Sequence, residues 1–294
     1  MEIREYTPQS LAGYINWIYF FYAWGLKGDF SPLSAGHTVQ PEGSKVAPEA
    51  WAEARNLFYD ALVLLEELNT RVVPKAVFDI RAAYSDGEDI VLADGARLPL
   101  LRQQQPGTEH CLSLADFIAP QGYADASGLA DRIGLFACTV DGSEQQTDCR
   151  DAYRKMLATT LCDRLAEAAA ERMHEEVRRE VWGYAPCERL TREQLFREDF
   201  QGIRPAIGYP SLPDHRLNFL LERLLQLGQI GIRLTSSGMM IPHSSVSGLM
   251  FAHPRAHYFS VGALGDDQQA DYEKRMSRAA QALGLPPFPL KGTA

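Results

Sequence analysis

Gly202-Ile203-Arg204-Pro205-Ala206-Ile207-Gly208-Tyr209-Pro210 is the most constrained stretch of the 294-residue chain. Two glycines and two prolines make a rigid loop that can run close to a ligand. Arg204 carries a planar fork of donors suited to a carboxylate or a phosphate. Pro210 restricts Tyr209 to an extended backbone, so the phenol is held in place.

The surrounding chain is periodic. Pro48 to Asn69 reads as a helix, with Trp51, Ala54, Phe58, Ala61, Leu62, Leu65 and Leu68 at three- and four-residue spacing and Pro48 in the first turn. Ala76 to Ala83 and Ile90 to Leu101 read as strands joined by a turn at Ser85-Asp86-Gly87-Glu88-Asp89, an antiparallel hairpin. Asp116 reads as a loop cap, and Arg132 to Val140 as a further strand. Asp148 to Trp182 reads as one long helix, with Tyr153, Leu157, Leu161 and Leu165 on a stripe that Met173, Val177 and Val181 continue. Thr191-Arg192-Glu193-Gln194 is a capping box that leads into the loop. Pro213-Asp214-His215 opens a helix with Gly228 as its stop, Ile230 to Leu234 and Tyr258 to Gly262 read as strands, and Asp266 to Leu283 reads as a last helix capped by Gly284. The fold class is therefore α+β: a twisted antiparallel sheet flanked by long helices. The expected organisation is one domain over residues 1–294. Its first 46 residues are expected to be mostly irregular, with the aromatics between Tyr14 and Trp24 forming a buried or pocket-lining segment.

Composition narrows the function. A hydrophobic share of 46% with 23% charged residues is that of a soluble globular protein. A net charge of -9 with no basic block argues against a nucleic-acid binder. The apolar run from Tyr14 to Trp24 is too short to span a bilayer. The start of the chain does not read as a signal peptide. Five cysteines (Cys111, Cys138, Cys149, Cys162 and Cys187) without any Cys-x-x-Cys pair fit free thiols in a reducing cytoplasm. Neither they nor the seven histidines supply a metal cluster. No Gly-x-Gly-x-x-Gly or P-loop is present to cradle a nucleotide phosphate.

Gly-Ile-Arg-Pro-Ala-x-Gly-Tyr-Pro, from Gly202 to Pro210, resembles the signature of the activation domain of cobalamin-dependent methionine synthase. Further blocks resemble the family in order: Leu101 to Gln104, Leu114 to Pro120, Asp163 to Ala168, His174 to Pro186, Ser244 to Gly248, Phe251 to Pro254, and Tyr258 to Gly262. The resemblance runs from about Tyr14 to Tyr272. It implies a curved domain whose concave side holds S-adenosylmethionine and faces cobalamin. It further implies reductive methylation of inactive cob(II)alamin, with one electron from a flavodoxin-like donor. The Asp-x-His-x-x-Gly cobalamin motif is absent, so the cobalamin is expected on a separate methionine synthase polypeptide that lacks this module.

By the same resemblance Arg204 holds the ligand carboxylate, Glu167 the ammonium, and Asn16 makes a polar contact. Ala206 and Gly208 supply close backbone, Tyr258 and Phe259 border the adenosine, and Tyr209 stands near the cobalt face. No residue is required as a general acid or base. The chain departs from the family at Asn16 and Ser236, where acids are usual, and at Arg216-Leu217-Asn218. Those lost acids keep a second reading open, a non-catalytic module that binds S-adenosylmethionine or a corrinoid protein.

Overall fold

In the computed structural model, residues 1–104, 110–127, 130–143 and 151–286 are described. The central strand is β2 (Lys75–Asp86). One of its edges carries β1 (Glu2–Glu5) along the first half and β3 (Asp89–Leu92) along the second. β4 (Arg97–Pro99) follows β3 outward. The other edge carries β5 (Asp131–Thr139), and beyond it β8 (Ser245–Met250). Every pairing is antiparallel. Alternate side chains divide the core between the two faces, as a two-residue period requires. Ala76, Phe78, Phe136, Cys138, Val246 and Met250 face one cluster, and Val77, Ile133, Leu135, Ala137 and Leu249 face the other.

The first cluster is closed by α4 (Pro48–Leu68) and by the long helix α6 (Ala152–Glu176). The N-terminal segment joins it and is far from irregular. β1 is followed by α1 (Pro8–Leu11), a 3-10 turn over Ala12–Tyr14, α2 (Trp17–Ala23) and α3 (Ser31–Ser34). Leu11, Ile15, Phe20, Phe21 and Phe30 bury their side chains there, so the aromatics expected to be buried are so in part. The second cluster is closed by α8 (Leu217–Leu225) and α9 (Asp266–Ala282). A short helix α5 (Gln121–Ser127) precedes β5, and α7 (Arg192–Phe196) precedes the proline-glycine loop. Among the described residues no helix is long and apolar enough to cross a membrane.

Several sequence expectations are corrected. The second arm of the hairpin is two strands, because Gly95, at φ +86°, reverses the chain between β3 and β4. On α4, Leu62 lies at the edge of the apolar stripe and remains exposed, while Leu57 and Leu64 are buried. The long helix starts at Ala152, capped by the Asp151 carboxylate. It widens over Val177–Val181 into a turn where Trp182 N donates to Val177 O at 2.9 Å. Residues 148–150, with Cys149, lie outside the described residues.

α8 begins at Leu217 rather than Pro213, since the Asp214 carboxylate accepts from Arg216 N at 2.9 Å and folds that stretch into a side-chain turn. It ends at Gln226 in the left-handed region, and Gly228 sits inside the 3-10 turn that follows. Of the strand expected over Ile230 to Leu234, only β6 (Arg233–Leu234) pairs, with β7 (Met240–Ile241). β8 carries no sequence expectation, yet it is the strand on which the loop rests. Ile203 bridges Phe251 and Ala206 bridges Gly248, so the loop backbone continues the antiparallel sheet past β8.

Gly248 makes this possible. A Cβ at that position would lie 2.1 Å from the Pro205 carbonyl oxygen. Gly248→Ala is expected to lose about 1–3 kcal/mol of stability by forcing the loop off the strand. Gly122→Ala, where a Cβ meets nothing within 4 Å, is the control. Urea unfolding midpoints of the two variants check it.

Candidate functional site

The loop, α6 and the N-terminal segment enclose a cleft of about 600 Å³. The loop contributes Arg204, Pro205, Ala206, Tyr209 and Pro210; α6 contributes Arg164, Glu167 and Glu171. Tyr14, Asn16 and Tyr19 come from the N-terminal segment, and Tyr258, Phe259 and Ser260 from the chain beyond β8. Leu195, Phe196 and Glu198 complete the wall that precedes the loop. Seven of the eight residues singled out from the sequence therefore meet at one cleft. The eighth, Gly208, does not line it. Its φ is +93°, and a Cβ there would strike the His215 ring at 2.4 Å, so this glycine shapes the turn from behind.

The loop is held by backbone bonds on both sides. Ile207 N donates to Ser247 O at 2.8 Å, Leu249 N to Pro205 O at 3.1 Å, and Gly208 N to Leu212 O at 2.7 Å. Tyr258 to Gly262, expected as a strand, joins no ladder. Its groups bond the loop instead: the Tyr258 hydroxyl accepts from Arg204 N at 3.0 Å, and Val261 N donates to Pro210 O at 3.0 Å. The Leu101 to Gln104 block anchors this wall, with Gln103 Nε2 donating to Ser260 O at 2.8 Å and Gln104 Oε1 accepting from Gly265 N at 2.6 Å. Asp116 is the cap the sequence suggests, accepting from Ser113 N at 2.9 Å, and it also binds Arg102 through both oxygens.

The Arg204 guanidinium lies 5.7 Å from the Phe136 ring centroid and is nearly buried. Its Nη2 donates to Glu171 Oε2 at 2.9 Å. Burial opposes its charge, but Glu171 holds the proton more firmly than usual. The sequence reading passed over Glu171. The signal was there: Glu167, Glu171, His174 and Arg178 recur at four, three and four residues, one stripe on a helix. Farther along that stripe, Arg178 is buried against Glu188, with Nε and Nη2 donating at 2.9 and 2.7 Å, and stacks 3.8 Å over Phe200. Glu198 was also missed, because a loop glutamate at φ +59° has no periodicity to betray it. Burial and then the Glu171 charge push its carboxyl above the usual range.

Asn16 lines the cleft, but its side-chain oxygen caps α2, accepting from Ile18 N at 3.2 Å. Ser236 is in the exposed β6–β7 turn and is not part of the cleft wall. At Arg216-Leu217-Asn218, Arg216 joins Asp214 to Glu273 of α9, and Asn218 bonds Gly238 O and the Ser247 hydroxyl, so these residues hold the scaffold behind the loop. Around the mouth stand Tyr19 and Tyr209, each more than half exposed, and Tyr258. The Glu167 charge, then burial, raises the Tyr209 phenol above its ordinary value. The lining holds three carboxylates against two guanidiniums, among aromatic surfaces. Such a cleft suits a flat, cationic ligand with a carboxylate of its own.

Two comparisons bear on this geometry. The model of the vitamin B12 dependent methionine synthase activation domain matches residues 8–277. A solved structure, the crystal structure of the MetH reactivation domain bound to AdoHcy, has a TM-score of 0.81 to this chain at 35% identity. The match covers 98% of this chain and 90% of that one.

His174, on the same helix stripe, is fully buried, and burial followed by the Arg178 and Arg204 charges holds its imidazole neutral well below the usual range. The unfolded chain therefore takes up the extra proton as pH falls below about 6.5. Stability is full above that value and declines below it, by at most about 1.4 kcal/mol per pH unit for this group. His174→Gln is expected to flatten the decline between about pH 6.5 and 5, the window just below the unfolded histidine value. Urea unfolding at stepped pH measures it.

Proposed function

Because this chain belongs to the vitamin B12 dependent methionine synthase activation domain family, we propose that its cleft binds S-adenosylmethionine and supports reactivation of a cobalamin protein carried on a separate polypeptide. The observation that carries this reading is the half-made pair at the cleft wall. Among the described residues Arg204 Nε and Glu171 Oε1 are buried without a hydrogen-bond partner, one donor and one acceptor in a pair that lines a cleft of ligand size. Buried groups of this kind normally find partners. A ligand carboxylate would complement Arg204, and a ligand ammonium the Glu167 carboxylate of the same lining.

The residues present fit the ligand. Arg204 would hold its carboxylate and Glu167 its ammonium, each through a charge-assisted bond. Asn16 and the Ala206 backbone would make polar contacts, Tyr258 and Phe259 would flank the adenosine, and Gly208 would keep the loop close. The lining carries one more carboxylate than guanidinium, which favours a sulfonium over its neutral thioether product. When bound, S-adenosylmethionine would supply the methyl group and leave as S-adenosylhomocysteine, and the partner's cobalamin, given one electron from a flavodoxin-like donor, would supply the cobalt to accept that methyl. Tyr209, exposed at the mouth, would meet the cobalt face. No side chain here needs to move a proton; the chain positions and charge-matches.

One observation favours the second reading, a binding module without transfer. Asn16 spends its acceptor on a helix cap, where an aspartate would keep a second oxygen and a charge for the ligand. Calorimetric titration separates the readings. S-adenosylmethionine is expected to bind the wild type, and Arg204→Ala to weaken it by about ten- to a hundred-fold, the loss of one charged hydrogen bond. Added cobalamin protein, reductant and S-adenosylmethionine are then expected to restore methionine synthesis. Binding without restoration would favour the binding module, and a wild type that fails to bind even with the cobalamin protein present would sink both.

A further inference from the structure

We propose that Glu171 is a positioning residue, which holds the Arg204 guanidinium in the orientation that offers its remaining donors to a ligand carboxylate. The inference rests on the reading of the cleft as an S-adenosylmethionine site and deepens it.

The ion pairs of this protein differ in how far they use the arginine fork. Two arginines that hold the scaffold each bond through two or more nitrogens. Arg178 gives both Nε and Nη2 to Glu188. Arg216 gives Nε, Nη1 and Nη2 to Asp214 and Glu273. The Arg204 side chain is 12% exposed, close to the 10% of Arg216, yet a single bond, Nη2 to Glu171 Oε2, ties it. Its Nε is buried without a partner among the described residues, as is the second oxygen of Glu171. Its Nη1 makes no hydrogen bond to any described residue and is not sealed from solvent. Arg178 Nη1 and Arg179 Nε are unmet as well, but among the described residues only here does the partner carboxylate also keep an unmet buried oxygen, and each such group is costly. Both residues of this pair line the cleft.

The neighbours show why the tether is needed. Glu167 and Glu198 also line the cleft, and both interact electrostatically with Arg204. Without Glu171, the guanidinium would swing across the Phe136 face toward one of them. That movement would consume the donors meant for a carboxylate and, at Glu167, the acceptor meant for an ammonium. A carboxylate one helical turn beyond Glu167 anchors Arg204 and leaves Glu167 free.

The test titrates two ligands, S-adenosylmethionine and 5′-methylthioadenosine, which lacks the amino and carboxylate groups. Glu171→Gln is expected to weaken S-adenosylmethionine about ten-fold and methylthioadenosine less than about two-fold, as for a lost charged contact. In an Arg204→Ala background Glu171→Gln should cost nothing further, since there is no guanidinium to position. Glu171→Asp keeps the charge but falls short by one methylene. It should show the same selective loss, and it carries the test if a thermal melt shows Glu171→Gln to be unfolded. Equal weakening of both ligands, unchanged S-adenosylmethionine binding, or additive losses in the double variant would each overturn the proposal. A wild type that binds neither ligand, even with the cobalamin protein present, would overturn the site reading and this proposal together. A wild type whose binding depends on Arg204 but not on Glu171 would overturn this proposal alone.

Discussion

The structure depends on a backbone contact. The loop from Ile203 to Ile207 lies along β8 as an irregular further strand, close enough at Gly248 that no side chain fits between. Through β5 and β2 that contact is continuous with the whole sheet. A loop attached in this way is no longer a flexible connection. Arg204 and Tyr209 are presented from it with their backbones fixed, as a binding site on a rigid scaffold requires. The same sheet divides two apolar clusters, so a displaced loop would disturb the packing of both β8 faces.

The second wall of the cleft is α6, and its composition suits the task. Alanines at 166, 168, 169 and 170 let the helix lie close against the sheet, and the polar stripe Glu167, Glu171, His174 and Arg178 runs beside them. Such a stripe inside a protein is expensive unless its members pair with one another or with neighbours. Arg178 finds Glu188 and Phe200, and Glu171 finds Arg204. The N-terminal segment is tied to the same helix from outside. The Tyr14 hydroxyl donates to Glu175 at 2.9 Å and that of Tyr6 to Glu176 at 3.1 Å. Those bonds set the position of Asn16 and Tyr19 at the cleft. Fold and site are thus built from one set of contacts.

Much of the fold was legible because burial imposes periods. The long helices, β2, β5 and the helix ending near Gly284 follow from apolar spacing of three to four or of two. Failures cluster where backbone bonds replace periodicity. β8, Ser-Val-Ser-Gly-Leu-Met, passes unnoticed because its polar residues bond inward, Ser247 to Asn218 within the core. Tyr258 to Gly262 has strand-forming residues but gives its hydrogen bonds to a loop and a glutamine. Asp214 turns the chain where a helix was expected, because its carboxylate competes for the backbone.

The sequence by itself determined the α+β class, the principal elements and, through the resemblance of the proline-glycine loop, the family and seven of the cleft's lining residues. Local spacing and motif order carry that information, since each constraint acts within a few residues. The tertiary structure alone decided which carboxylate meets Arg204, that Gly208 lies behind the cleft, that Ser236 stands apart from it, and that Asn16 spends its oxygen on a helix cap. Those outcomes depend on groups brought together across long separations, 33 positions from Glu171 to Arg204, by a loop that rests on β8.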